Sequence, residues 1–211
     1  RALFQREVDA KYQFEVMRVP YINLGIQHQA DKGAIMDKVS GVLDSGMFIL
    51  GEEVSSFEKA FAEVCGTKYA VGVANGTDGL ILSLRALGIG AGDEVITAPN
   101  SYLASASLIE LAGASVVFAD VLDDFNLDPA EVEKKISSRT KAIIAVHLTG
   151  RPANMDAILE IADKHGIPVI EDASQAVGAK YNGKGAGGLG TLGSFSLHPL
   201  KNLAAAGDAG I

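Results

Sequence analysis

Residues 94–119 read EVITAPNSYLASASLIELAGASVVFA. A short apolar run at 94–98 meets the turn residues Pro99, Asn100 and Ser101, a helical stretch follows over roughly 103–112, and a second apolar run closes the unit at 115–119. Apolar runs of this length, bounded by turn residues, read as strands, and the spacing between them is that of a crossover helix. Strand, helix, strand within one short segment is the repeating unit of a parallel sheet.

The same alternation extends in both directions. Further apolar runs at 69–74 (YAVGVA), 142–148 (AIIAVHL) and 167–170 (IPVI) predict strands, and the stretches near 77–87, 129–136 and 154–165 predict helices. Asn154 is a suitable N-cap for the last helix, and Asp128 followed by Pro129 opens the one before it. Upstream, Ile35, Val39 and Val42 within 30–45, and Phe57, Phe61 and Val64 within 52–64, recur at helical spacing. The apolar runs are nearly continuous, as in strands covered on both faces. The expected fold is therefore α/β, a mainly parallel central sheet with helices on both faces. Residues 178–193 (GAKYNGKGAGGLGTLG) are so rich in glycine that a loop is expected.

Composition narrows the function. The 211 residues are 48% hydrophobic and 21% charged, an ordinary globular mix. Eighteen basic against 26 acidic residues give a net charge of -8, the wrong sign for gripping phosphate backbones, so nucleic acid is disfavoured as a partner. No apolar run approaches the ~20 residues of a membrane span. The single cysteine, Cys65, excludes an internal disulfide and fits a reducing, cytoplasmic location. Four histidines, at 28, 147, 165 and 198, are too scattered to propose a metal site.

The chain starts at Arg1, and residues 1–18 mix charged and apolar residues with no signal-peptide core, so they read as an N-terminal extension. It stops in AAAGDAGI without a helix stop or polar tail. The expectation is a fragment, cut short at its C-terminus.

In open α/β sheets ligands collect beyond the carboxyl ends of the strands, which directs attention first to residues 75–78, 99–102, 147–150 and 171–175, in all of which polar and small residues cluster. Asn75-Gly76-Thr77-Asp78-Gly79 leads straight into a helix. Glycine admits a ligand close to the backbone and a helix N-terminus favours an anion, although an N-capped helix start with no ligand reads the same way. VIEDASQA, 169–176, ends a buried strand with two acids: Asp172 could cap a turn or pair with a cationic ring nitrogen, and Glu171, its neighbour, points elsewhere. FSLHPLKN, 195–202, holds Ser196 and Lys201 at fixed separation on a strand and turn. A lone lysine is usually solvated, but one among apolar and small residues has its pKa lowered and becomes a nucleophile toward a carbonyl. GAGGLG, 185–190, matches the dinucleotide pattern, yet it neither follows a strand nor opens a helix, so a nicotinamide oxidoreductase is disfavoured.

Taken together and in order, these segments resemble the DegT/DnrJ/StrS family of pyridoxal-phosphate-dependent nucleotide-sugar aminotransferases. The resemblance runs from VPYINLGIQHQ at Val19 through LDSGMFILGEEVSSFEKAFAEVCGTKYAVGVANGTDGL, DEVITAPNSYLASA, VHLTGRPANMDAI and VIEDASQAVGAKYNGK to SFSLHPLKNL. It implies a type I aminotransferase-like large domain over 19–211, incomplete and without the family's small C-terminal domain.

The resemblance assigns a role to each matching position. Lys201 matches the lysine that forms the internal aldimine with pyridoxal 5'-phosphate, and Asp172 the aspartate that pairs with the pyridine nitrogen and keeps the ring an electron sink. Gly76 and Thr77 match the phosphate-binding turn, and Ser196 a phosphate-binding serine. Tyr102 matches the aromatic that stacks on the ring, and Gln175 a residue near the ring face and its hydroxyl. The implied reaction moves an amino group from L-glutamate to a keto group of a nucleotide-linked deoxysugar, in a homodimer, and Lys201 rather than histidine favours transamination over dehydration. Val177, Thr149, Arg151 and Asp208 depart from the residues frequent in the family, which bears on the sugar more than on the reaction. The alternative is a non-catalytic truncated relative serving as a dimerising or regulatory module.

Overall fold

The computed structural model describes residues 19–211, so the extension expected over 1–18 lies outside the described residues. The chain divides into two compact units, Arg1–Gly46 and Met47–Ile211. Among its described residues the first contains a single turn, α1 (Leu24–Gln27), and α2 (Lys32–Ser45). Gly46 ends α2 at φ 67°, a conformation that glycine adopts without steric cost.

The second unit opens with α3 (Glu52–Cys65) and α4 (Gly76–Ala86). Then β1 (Glu94–Thr97), α5 (Ala104–Leu111), β2 (Ser115–Phe118), α6 (Pro129–Lys135), β3 (Thr140–Val146), α7 (Met155–His165) and β4 (Val169–Asp172) alternate as the sequence predicts. Both expected caps form: Asp128 Oδ1 accepts the amide of Ala130 at 2.8 Å, and Asn154 Oδ1 that of Ala157 at 3.4 Å. A short hairpin, β5 (Lys180–Tyr181) with β6 (Lys184–Gly185), precedes β7 (Leu192–Ser194).

Five strands form one sheet in the order β2-β1-β3-β4-β7, every pairing parallel. Its strands alternate between two cores. Ile96, Ile143, Ala145 and Val169 pack with Val132, Met155 and Ile158 of α6 and α7. Val95, Ala142, Ile144, Val146 and Ile170 pack on the other face with Leu80 and Leu84 of α4 and Leu108 and Ile109 of α5. Each fully buried aliphatic side chain of this kind contributes roughly 1.5–3 kcal/mol. A smaller cluster joins Phe61 and Cys65 of α3 to Phe195, Leu197 and Ile211. There Val64 is 52% exposed and Cys65 takes the inward place, because the buried face runs Phe61 to Cys65, one turn apart. Among the described residues no helix is long and apolar enough to cross a membrane.

Two expectations are corrected. Residues 69–74 are not a strand: Val73 alone pairs, exchanging both hydrogen bonds with Gly210 in a single antiparallel bridge, while Tyr69 and Val71 are exposed. Gly210 also bridges Ser196, so that segment borders the site instead of adding a ladder to the sheet. The glycine-rich stretch is not all loop. Asn182 and Gly183, both at positive φ (48° and 83°), make the two-residue turn of β5–β6. Leu192–Ser194 joins β4 as an edge strand.

Candidate active site

The topology delivers the polar segments to the carboxyl edge of the sheet. Asp172 ends β4 on the α4/α5 face, continuing the alternation set by Ile170. Only 6% of it is exposed. Its Oδ2 accepts the hydroxyl of Ser105 at 2.9 Å, and its Oδ1 the amide of Ser174 at 3.2 Å. Lys201 is half-buried in the turn after His198, whose carbonyl accepts its backbone amide at 2.8 Å. Burial lowers the pKa of its amine, and the nearby Asp172 carboxylate offsets part of that shift. A carboxylate and an amine depressed by burial therefore stand within electrostatic reach of each other.

The candidate anion-binding turn is the amino end of α4. Asn75, extended at φ -167°, caps the helix by accepting the amide of Asp78 at 2.8 Å, and the amides of Gly76 and Thr77 are the first-turn donors that the helix itself does not satisfy. Gly76 is buried against the next segment: a Cβ there would lie 2.8 Å from Ser196 Cβ and 3.1 Å from Ser174 Oγ. Glycine is thus required for α4 to reach the Ser196 segment. Ser194 fastens the same junction by donating its hydroxyl to the Gly76 carbonyl at 3.1 Å.

Gly76 meets Ser196 through these contacts, Ser174 links Gly76 to Asp172, and Lys201 lies within electrostatic reach of Asp172. Thr77 occupies the exposed first turn of α4. Tyr102 is 80% exposed just before α5, its carbonyl accepting the Ser105 amide at 3.0 Å. Gln175 is exposed on the turn after Asp172, and its carbonyl would lie 2.9 Å from a Cβ at Gly150.

Glu171 points away from Asp172, as strand alternation requires. It is fully buried and accepts the amides of Gly187, Leu189 and Gly190 at 2.7–2.8 Å. Burial pushes its pKa up, but the His147 hydrogen bond and the Gly190 and Gly187 amides outweigh it, and the carboxyl is held below its usual range. Ser105, Ser174, Ser194 and the His147–Glu171 pair escaped the sequence reading. A serine in a helix carries no local signal for the strand it faces, and the role of Glu171 depends on where the glycine loop folds.

A cleft of about 780 Å³ opens at the amino ends of the strands, lined by Asp93, Thr140 and Pro168 among others. The acid, the amine and the candidate anion-binding turn all lie at the other ends, where the α/β architecture places its ligands.

The chain belongs to the DegT/DnrJ/EryC1/StrS aminotransferase family, which it matches over residues 29–211. It is similar to the pleiotropic regulatory protein of Geobacillus stearothermophilus, 47% identical over 196 residues that cover 92% of this chain and 53% of the relative. It is also similar to dTDP-3-amino-3,4,6-trideoxy-alpha-D-glucose transaminase of Streptomyces venezuelae, 45% identical, with 93% and 52% of the two chains covered. Among solved structures, S. venezuelae DesV in complex with a ketimine intermediate matches with a TM-score of 0.89 at 45% identity, over 92% of this chain and 52% of that one. The parallel sheet with helices on both faces is the aminotransferase-like fold these proteins share. The family is pyridoxal-phosphate-dependent, and solved relatives include forms with pyridoxal and pyridoxamine phosphate. The chain spans about half the length of the relatives it matches.

Proposed function

We propose that residues 19–211 form the cofactor-binding large domain of a sugar aminotransferase, which moves an amino group from L-glutamate to a keto group of a nucleotide-linked deoxysugar. The observation that carries this reading is Lys201, an amine whose pKa burial lowers, placed near Asp172 at the sheet edge.

The donor set fits pyridoxal 5'-phosphate. The first-turn amides of α4 with Thr77 and Ser196 suit a phosphate dianion, Asp172 suits a protonated ring nitrogen, and Lys201 suits the aldehyde carbon. Tyr102 and Gln175, both exposed at the same edge, are assigned to the ring faces. When bound, the cofactor supplies an electron sink for charge that develops at the donor's α-carbon. The chain's own contribution is positional and acid–base. Asp172 would hold the ring nitrogen charged, the amino end of α4 would anchor the phosphate, and Lys201 Nζ would take the proton from the donor's α-carbon and deliver it to the cofactor's C4′. A homodimer is assigned as the working unit, and the cytoplasm as its location. Retention of Lys201 and Asp172 together favours this reading over a non-catalytic module.

The test separates the two halves of the reaction. Protein loaded with pyridoxal phosphate should release 2-oxoglutarate from L-glutamate in a single turnover, and should then aminate dTDP- or UDP-linked keto-deoxysugars. Failure of the first half with every amino acid offered overturns the transaminase reading. Success there with failure on every nucleotide sugar overturns the substrate class alone.

A further inference from the structure

We propose that Ser105, with Ser101 behind it, is a positioning residue that aims the Asp172 carboxylate at the cofactor's ring nitrogen. This rests on the reading that Asp172 faces that nitrogen.

Ser105 is 1% exposed and is the one polar residue among the buried positions of α5, beside Leu108 and Ile109. A buried hydroxyl is costly unless it is partnered. Helix serines commonly bond back to the carbonyl four residues earlier, as Ser83 does to Gly79 at 2.7 Å. Ser105 instead reaches out of its helix to Asp172 Oδ2 at 2.9 Å, and its Oγ lies 2.9 Å from Ser101 Oγ. Proton count orients the chain. An ionised carboxylate only accepts, so the single hydroxyl proton of Ser105 goes to Asp172 and Ser105 accepts from Ser101.

The carboxylate is thereby tied at both oxygens by two different elements, α5 through Ser105 and the following turn through the Ser174 amide. The terminal torsion of an aspartate is otherwise broad, so two bonds fix its plane while each oxygen retains a lone pair. Both donors are neutral. A lysine or arginine at position 105 would compete with a cationic ring for the same charge, whereas a hydroxyl orients Asp172 and leaves its charge to the ring.

The experiment compares two ligands on the intact protein: pyridoxal phosphate, and its 1-deaza analogue with carbon in place of the ring nitrogen. The ratio of their dissociation constants isolates the nitrogen contact, as a double-mutant cycle isolates a pair. Ser105→Ala should reduce the preference for the nitrogen-containing ring about tenfold, the size of one hydrogen bond to a charged group. Ser105→Thr should restore it, and Ser101→Ala, at a half-buried site, should reduce it less. Equal weakening of both ligands in Ser105→Ala, or an unchanged ratio in both alanine variants, overturns the proposal. A parent protein with no preference between the two ligands overturns the underlying assignment of Asp172 instead.

Discussion

His147 Nε2 lies 2.8 Å from Glu171 Oε2, and neither side chain is exposed. The Nδ1 of the same ring accepts the Ala153 amide at 3.2 Å, which assigns the ring proton to Nε2 and makes His147 the donor. Through Glu171 the end of β3 is tied to the amides of Gly187, Leu189 and Gly190, and so to the loop that delivers β7, Ser194 and Ser196. The pair is scaffold for the site.

Glu171→Ala should therefore cost far more than an average substitution. It strands three loop amides, one buried and two part-buried, and the buried imidazole N–H, and each unsatisfied donor costs about 1–3 kcal/mol. Urea unfolding should show a lower midpoint with an unchanged slope. A loss within the scatter of surface variants would show that the loop is held by something else.

Acid should reveal the same group. The folded-state pKa of Glu171 lies below its ordinary 4.5, so the folded protein binds fewer protons there than the unfolded chain. The stability this provides is complete above the unfolded value and is lost as pH falls through the folded one. Glu171→Gln should flatten the dependence of stability on pH below about 4.5, measured by urea midpoints in steps down to about pH 3. An unchanged slope would remove Glu171 from the acid response.

Gly76→Ala tests the candidate anion-binding turn. The added Cβ would press on Ser196 Cβ at 2.8 Å and on Ser196 Cα at 3.1 Å, a backbone contact that cannot swing away. Overpacking of this kind costs about 1–3 kcal/mol and should push α4 off the Ser196 segment. Both the melting temperature and the affinity for pyridoxal phosphate should fall. A variant as stable as the parent would mean that the junction has slack.

Of the alternating elements between 94 and 172, β1, β3 and β4 were legible because they are apolar runs buried on both faces, β2 at the sheet edge because its run is apolar although half-exposed, and Pro168 marks where β4 begins. Val73 misled for the opposite reason: an apolar run reports a tendency to be covered, not the presence of a partner strand, and its one partner is Gly210, distant in sequence. In 178–193 the number of glycines hid the Asn182-Gly183 turn signal. Asp172 and Lys201 stood out as a charge ending a buried strand and an amine among small residues. Ser105 did not, since its meaning arises only when α5 is laid on β4.

The amine of Lys201 should show both of its influences. Burial lowers its pKa below 10.5, and the Asp172 carboxylate pulls it partway back. Removing that carboxylate in Asp172→Asn should lower it further, so the pH midpoint for adduct formation with a simple aldehyde should move down. An upward movement, or none, would mean that Asp172 does not act on Lys201.

The most direct test of the central claim is reductive trapping. The chain is incubated with pyridoxal phosphate, reduced with borohydride and digested, and the modified lysines are located by mass spectrometry. The account predicts one dominant adduct at Lys201, abolished in Lys201→Ala and weakened in Gly76→Ala. Labelling spread over exposed lysines such as Lys180 and Lys184, with Lys201 no more modified than they are, would contradict it.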